Sequence, residues 1–294
     1  MTAVRGFTLA LLAFWGLAVT AARAEQTLPG RPAKSGEILS VPLAELHPTQ
    51  MEIGRAAVRL MLASWQKEAA DRGISFPDYA RTVLKPKMEA KPLPGIISPE
   101  GLVHNTDGHH RVESLLEVTR LTGVEFQLPV EVQRDYRGHS QKAYARHLVK
   151  VIGKGYFTPE TRRLSPVEQV AQLPHDYHQI VDNPLRSAVG TVLYRKGIDS
   201  GHMKDFIEFD ILEKAKKAGA LKALGRAGIS PQEFAADPLS ERSLKILEPR
   251  LTSPLMVQLM RQSARNPKSA AAVNEQIKGL YPHLLAGRPH APRH

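Results

Sequence analysis

The chain has no cysteine among its 294 residues. Disulfides, thiolate nucleophiles, thiolate zinc sites and cysteine redox chemistry are thereby excluded. Acidic residues are also short: 29 Asp and Glu stand against 40 Lys and Arg, a formal net charge of +11. That balance admits nucleic acid, phosphates or anionic surfaces as partners without choosing among them. Beyond the N-terminus no apolar run approaches the ~20 residues that span a bilayer. Aromatic residues make up only 6%, but with 42% hydrophobic and 23% charged residues the chain can bury a core, as one large domain or two small ones. Coiled-coil, collagen-like and globally disordered classes are excluded, and no internal repeat is present.

The first 24 residues read as an address. Arg5 gives a positive start, Phe7 to Val19 form a short apolar stretch, and Ala22-Arg23-Ala24 fits a small-x-small cleavage pattern. Cleavage after Ala24 removes two Arg and no acid, lowering the charge from +11 to +9. The expectation is an exported protein, periplasmic or secreted, with no stable membrane insertion once the signal is cleaved. Lipidation of such a leader would need a Cys, and there is none.

In the mature chain, residues 25–36 are rich in Pro, Gly and polar groups and read as a flexible lead. Ile38 to Leu43 form a strand, and the polar turn around His47-Pro48-Thr49-Gln50 precedes an amphipathic helix from Met51. Residues 73–92 are mixed and basic, with no assignable pattern. Pro94 to Ile97 and Leu102 to His104 form a hairpin across Ser98-Pro99-Glu100-Gly101, with Pro and Gly where a β-turn wants them. Val112, Leu115, Leu116 and Thr119 then mark a helix that Gly123 ends, and Leu128 to Val132 give another strand. From Ser140 onward everything reads helical, most strongly at 184–196 and 202–217. The fold class is α+β: a small sheet with helices over 37–135, a helical region over 136–218 packed on it, and a helical extension over 219–294 with a frayed basic tail.

The segment Asp107-Gly108-His109-His110-Arg111 carries the chemistry. A strand leads into a polar loop, Gly108 permits close backbone approach, and a helix begins at once. Its free N–H groups and positive dipole end make an anion site. Arg111 suits bidentate contact with phosphate, and a His can move a proton near neutral pH. Asp107 can cap the helix, orient a His or serve as a base, the N-cap being the simplest role. Neighbours on a helix point about 100° apart, so His109 and His110 cannot both face a ligand. His104, His109 and His110 lack an HExxH spacing, so no metal ligands are assigned, although a divalent ion remains open as a cofactor.

Four motifs together resemble the ParB/sulfiredoxin superfamily, and specifically its ParB-like nuclease group. They are Val41-Pro42-Leu43-Ala44-Glu45-Leu46 with Pro48-Thr49-Gln50 and Gly54; the Asp107–Arg111 string; Asp182-Asn183-Pro184-Leu185-Arg186-Ser187; and Lys204 with Phe206-Ile207-Glu208-Phe209. The resemblance implies the ParB/sulfiredoxin-like fold and a phosphate-gripping loop around Gly108 and Arg111. It sets Thr49 and Gln50 across from Gly108, although Thr49 on its own reads as a helix cap. Arg186 and Lys204 join the ligand-binding set by the same resemblance. His110 and, less directly, His109 become proton carriers, with Asp107 and Glu208 as further catalytic candidates. A simpler role for Arg186 or Lys204 is an ion pair with Glu208 that holds the helical region in place. Phe206 and Phe209 read as core, and His175 and His178 as surface. The sulfiredoxin cysteine position is His109 here, which removes sulfinic-acid reduction by that route, and no ParB helix-turn-helix follows. Three functions compete: an exported phosphodiester hydrolase acting on nucleic acid or another phosphate ester, a phosphate or nucleic-acid binding module without turnover, and, if the chain stays in the cytoplasm, a nucleotide-dependent kinase or triphosphatase.

Overall fold

A computed structural model describes residues 30–153, 157–158, 160–195 and 207–251, together with 28, 259, 271 and 275. The expected signal peptide, Lys204, Phe206 and the basic tail lie outside the described residues, as does the side chain of Glu208. Among the described residues no helix is long and apolar enough to cross a membrane.

The architecture is mixed α+β. Strands β1 (Ile38–Pro42), β2 (Leu46–His47), β4 (Leu93–Ile97), β5 (Val103–Asn105) and β6 (Gln127–Asp135) form one sheet in the order β1-β6-β4-β5-β2. β6 alternates along its length, burying Leu128, Val130 and Val132 while its intervening residues face outward, as a period of two requires. β4 is buried almost throughout because both of its faces are covered. The expected hairpin joins β4 to β5, with Ser98 N–H donating to Leu102 O at 2.9 Å.

Two helices cover one face. They are α1 (Arg55–Asp71) and α4 (His109–Thr122), which directs Val112, Leu115 and Val118 into the main core. Gly123 closes α4 in the left-handed conformation, its N–H donating to Thr119 O at 2.8 Å. The basic stretch that gave no pattern folds as α2 (Phe76–Tyr79), a π-helical turn at Ala80–Leu84 and α3 (Lys85–Glu89). The π turn breaks the 3.6-residue period, which is why the pattern did not show. On the other face α5 (Gln141–Ile152) sets Tyr144, Leu148 and Ile152 against Ile96 and Tyr136, and α6 (Pro166–Ala171) follows it.

Several expectations are corrected. The chain after Ser140 is not wholly helical: β7 (Val181–Asp182) pairs in parallel with β3 (Glu52–Ile53). α1 starts at Arg55 with Gly54 as its N-cap, so Thr49 does not cap it. Gly54 is required by proximity, since a Cβ there would lie 2.6 Å from Ser187 Oγ and 2.9 Å from Ser187 N. Residues 31–36, read as part of a flexible lead, are tied down: Ala33 N–H donates to Asp135 Oδ2 at 2.7 Å and Gly36 N–H to Val132 O at 2.8 Å.

Helices α7 (Pro184–Arg195), α8 (Ile207–Lys217), α9 (Ala220–Arg226), α10 (Pro231–Ala236) and α11 (Glu241–Leu251) share a separate core that includes Leu185, Val189, Ile211, Leu224, Phe234 and Leu247. Residues 220–251 are therefore packed with α7 and α8 around one centre.

Candidate functional site

β5 delivers the chain to Asp107, and Gly108 turns it into α4 with φ +79°. Asp107 is exposed, and its Oδ1 accepts the Gly108 N–H at 2.6 Å. The expected N-cap role for Asp107 is thus corrected: Gly108 is the N-cap, and among the described residues no side chain caps the first turn of α4. The uncapped turn keeps its positive end directed into the loop. Arg111 folds back beside Gly108, where Nε and Nη2 would be 3.9 Å from a Cβ at that glycine, and Nη2 reaches Pro92 O at 3.4 Å.

The two histidines part company. His109 is buried, and its Nε2 accepts the Thr49 N–H at 3.0 Å. An acceptor nitrogen carries no proton, so His109 is the neutral tautomer protonated on Nδ1. Burial, with the charge of Arg186 behind it, pushes its pKa well below the ordinary histidine value. Thr49 Oγ1 donates to Asn105 O at 2.9 Å. Asn105 in turn accepts from the buried Tyr177 hydroxyl at 2.6 Å and donates to Asp107 O at 3.0 Å. His109 thereby anchors the Thr49-Gln50 turn to the loop. His110 is half-buried, and burial followed by the charge of Arg186 lowers its pKa to about 3.

Gln50 is fully buried, and among the described residues neither its Oε1 nor its Nε2 has a hydrogen-bond partner. Buried amides are nearly always satisfied, so this one holds a donor and an acceptor in reserve beside Thr49. Arg186 is buried; its Nη1 donates to Glu52 O at 2.5 Å and its guanidinium stacks over the Phe209 ring at 4.2 Å. Phe209 is core, as expected. His175 and His178 are exposed, also as expected.

Three of the four sequence motifs therefore meet. The first and third join through β3 and β7, through Asn183 Nδ2 to Glu52 Oε2 at 2.6 Å, and through the Gly54–Ser187 contact. The first and second join at Thr49 and His109. The fourth, Lys204 with Glu208, lies outside the described side chains. An ion pair absent from the sequence reading completes the frame. Arg55 donates to Glu113 Oε1 at 2.5 Å and to Ile180 O at 3.1 Å, linking α1, α4 and the approach to β7. Burial outweighs Arg55 and raises the pKa of the Glu113 carboxyl. The only hint in the sequence is its spacing of four from His109. Replacing Arg55 with methionine should strand this carboxylate, which is 5% exposed. The expected cost is about 2 kcal/mol in urea unfolding, and adding Glu113→Gln should recover much of it. A single variant as stable as the parent contradicts the bracing role.

The mixed α+β fold thus carries, at one loop, a helix start without a side-chain cap and the Arg111 guanidinium. The family model described as "Putative ParB-like nuclease" matches residues 39–211, and the chain belongs to that family. The crystal structure of protein Atu1540 from Agrobacterium tumefaciens is similar to it over 72% of this chain and 90% of that one, at 16% sequence identity and a TM-score of 0.47. No curated protein matches the chain significantly.

Proposed function

We propose that this family member is an exported phosphodiester hydrolase that grips a phosphate group of its substrate at the Gly108–Arg111 turn. One observation carries the reading: the first turn of α4 is left without a side-chain cap directly beside the Arg111 guanidinium. Backbone N–H groups and Arg111 stabilise charge on the phosphoryl oxygens, an electrostatic contribution that grows as charge develops in the transition state. Gln50 turns its unused amide to a sugar or base edge. His110 moves the proton to or from water or the leaving oxygen, and His109, already bonded to Thr49, positions the turn. Asp107, with its second oxygen unassigned, can orient His110 or the attacking water.

Burial and, after it, the charge of Arg186 keep His110 neutral. A bound phosphate offsets that charge, so binding draws a proton onto His110 and affinity falls as pH rises. The test is turnover of a chromogenic phosphodiester and of plasmid DNA by the mature protein, with and without divalent ions. His110→Ala should lower kcat by about 10²-fold or more while leaving the fold intact. Saturable phosphate binding with no turnover by the parent protein would move the reading to a binding module. That second reading draws on His109, which is locked in a bond to Thr49 and removed as a proton carrier. Gln50→Leu should weaken substrates bearing a base more than the simple chromogenic ester. Equal losses on both contradict a reading role for Gln50.

A further inference from the structure

Residues 136–159 contain no Asp or Glu, but five Lys or Arg and two His. In this stretch α5 presents Lys142, Arg146 and Lys150 at intervals of four, and all three are exposed. Residues spaced by four share one helix face. Arg134, exposed on β6, stacks over Tyr136 with its guanidinium carbon 5.1 Å from the ring centroid. Arg134 and Lys150 both bear electrostatically on His147, the next residue after Arg146. None of Arg134, Lys142, Arg146 or Lys150 forms an ion pair within the described residues. The nearby carboxylate of Glu100 is held by Gln141 at the first residue of the helix, the end away from Lys150. Elsewhere on the surface Lys67 is paired with Asp71 and Arg72 with Glu68. An unpaired cationic row on a rigid helix costs repulsion unless an anion covers it.

We propose that this face of α5, flanked by Arg134, binds the phosphate backbone of a nucleic-acid duplex. It lies on the sheet face opposite α4 and is distinct from the Gly108 turn. The dimensions agree. Lys142 to Lys150 rise about 12 Å along the helix, over which one strand presents roughly three to four phosphates. An anionic lipid surface suits this face less well. A helix lying on a membrane inserts an apolar face, whereas Tyr144, Leu148 and Ile152 of α5 are consumed in the core and no large apolar side chain of α5 is exposed. The row contacts no base-reading feature, so it recruits duplex without regard to sequence.

The test compares two variants of the full mature chain by fluorescence anisotropy with a labelled DNA duplex across about 50–200 mM salt. Lys142→Gln, Arg146→Gln and Lys150→Gln together should weaken binding at least tenfold at the low-salt end. The slope of log affinity against log salt should become shallower by about 2.7, or 0.9 for each lost phosphate contact. The control, Lys214→Gln, Lys216→Gln and Lys217→Gln, removes the same charge from exposed positions on α8 and should leave the slope nearly unchanged. Equal losses in both variants, no loss in the α5 variant, or binding of the parent to phosphatidylserine vesicles in preference to duplex would each overturn the assignment. Hydrolysis of a small chromogenic phosphodiester should be unaffected by the α5 changes. A chain that hydrolyses nothing can still show the duplex slope, which separates the failure of this proposal from failure at the Gly108 turn.

Discussion

Gly108→Ala is expected to destabilise the protein by about 3 kcal/mol and to remove the phosphate binding proposed for the loop. Two costs combine. Gly108 sits at φ +79°, a left-handed conformation that costs an L-residue about 1–2 kcal/mol. Its new Cβ would also lie 2.4 Å from Leu93 Cδ2. Leu93 is buried in the central strand, so overpacking adds about 1–3 kcal/mol. Relief by moving the loop displaces Arg111 and reorients the first amides of α4. Urea unfolding gives the stability change, and calorimetry with inorganic phosphate gives the binding. A variant that is destabilised but binds phosphate with parental affinity would separate the turn from the anion site. One with parental stability would refute the close approach itself.

Acid is expected to unfold the protein steeply. His104, His109 and His110 are all held below the ordinary histidine pKa, chiefly by burial, His104 and His110 to about 3. In the folded protein they stay neutral at mildly acidic pH, whereas in the unfolded chain each takes up a proton near pH 6.5. A depressed folded-state pKa stabilises above the unfolded value, so this contribution is complete at neutral pH. It is lost as pH falls below about 6.5, toward about 3 for His104 and His110, at up to about 1.4 kcal/mol per pH unit for each protonating ring. Several such groups together draw down a marginal stability as the pH falls. Urea-unfolding free energies at descending pH, in buffers free of phosphate and sulfate, should trace that fall, and His110→Gln should reduce the slope by one proton. A flat profile between pH 6 and about 4.5 would mean that these rings protonate within the fold. On the proposed phosphate binding, added phosphate should restore part of this stability in the mildly acidic range, by offsetting the charge of Arg186 that adds to burial in lowering the His110 pKa.

Much of the first half was legible because its pattern is regular and local. The β4–β5 hairpin and α4 are written in turn residues and in apolar spacing, and both lie where the sequence puts them. β2, β3 and β7 contribute two residues each, too few to display an alternation, and β7 is defined only by its partner 129 residues earlier. The loop of Asp107–Arg111 was visible as a strand-to-helix turn, but the division of labour inside it was not. Which histidine faces the core depends on Thr49, 60 residues away. Asn105, Tyr177 and Glu113 escaped notice for the same reason. A polar residue on a strand or helix reads as a surface position until the partner that buries it is known. Asp107 shows the limit of local rules: an Asp ahead of a helix suggests a cap, yet here the glycine takes that position and the carboxylate bonds its amide.

The parallel pairing of β3 with β7 bears on how this architecture can be divided. A fragment ending near residue 135 would contain the whole five-stranded sheet and the loop, but it would forfeit Tyr177, Ile180 and Arg186. Asn105 would lose the hydroxyl that steadies it and Arg55 one of its two acceptors. Engineering or evolution by domain shuffling must therefore move the loop and the following helices as a single inheritance, since neither half holds the loop's supports alone.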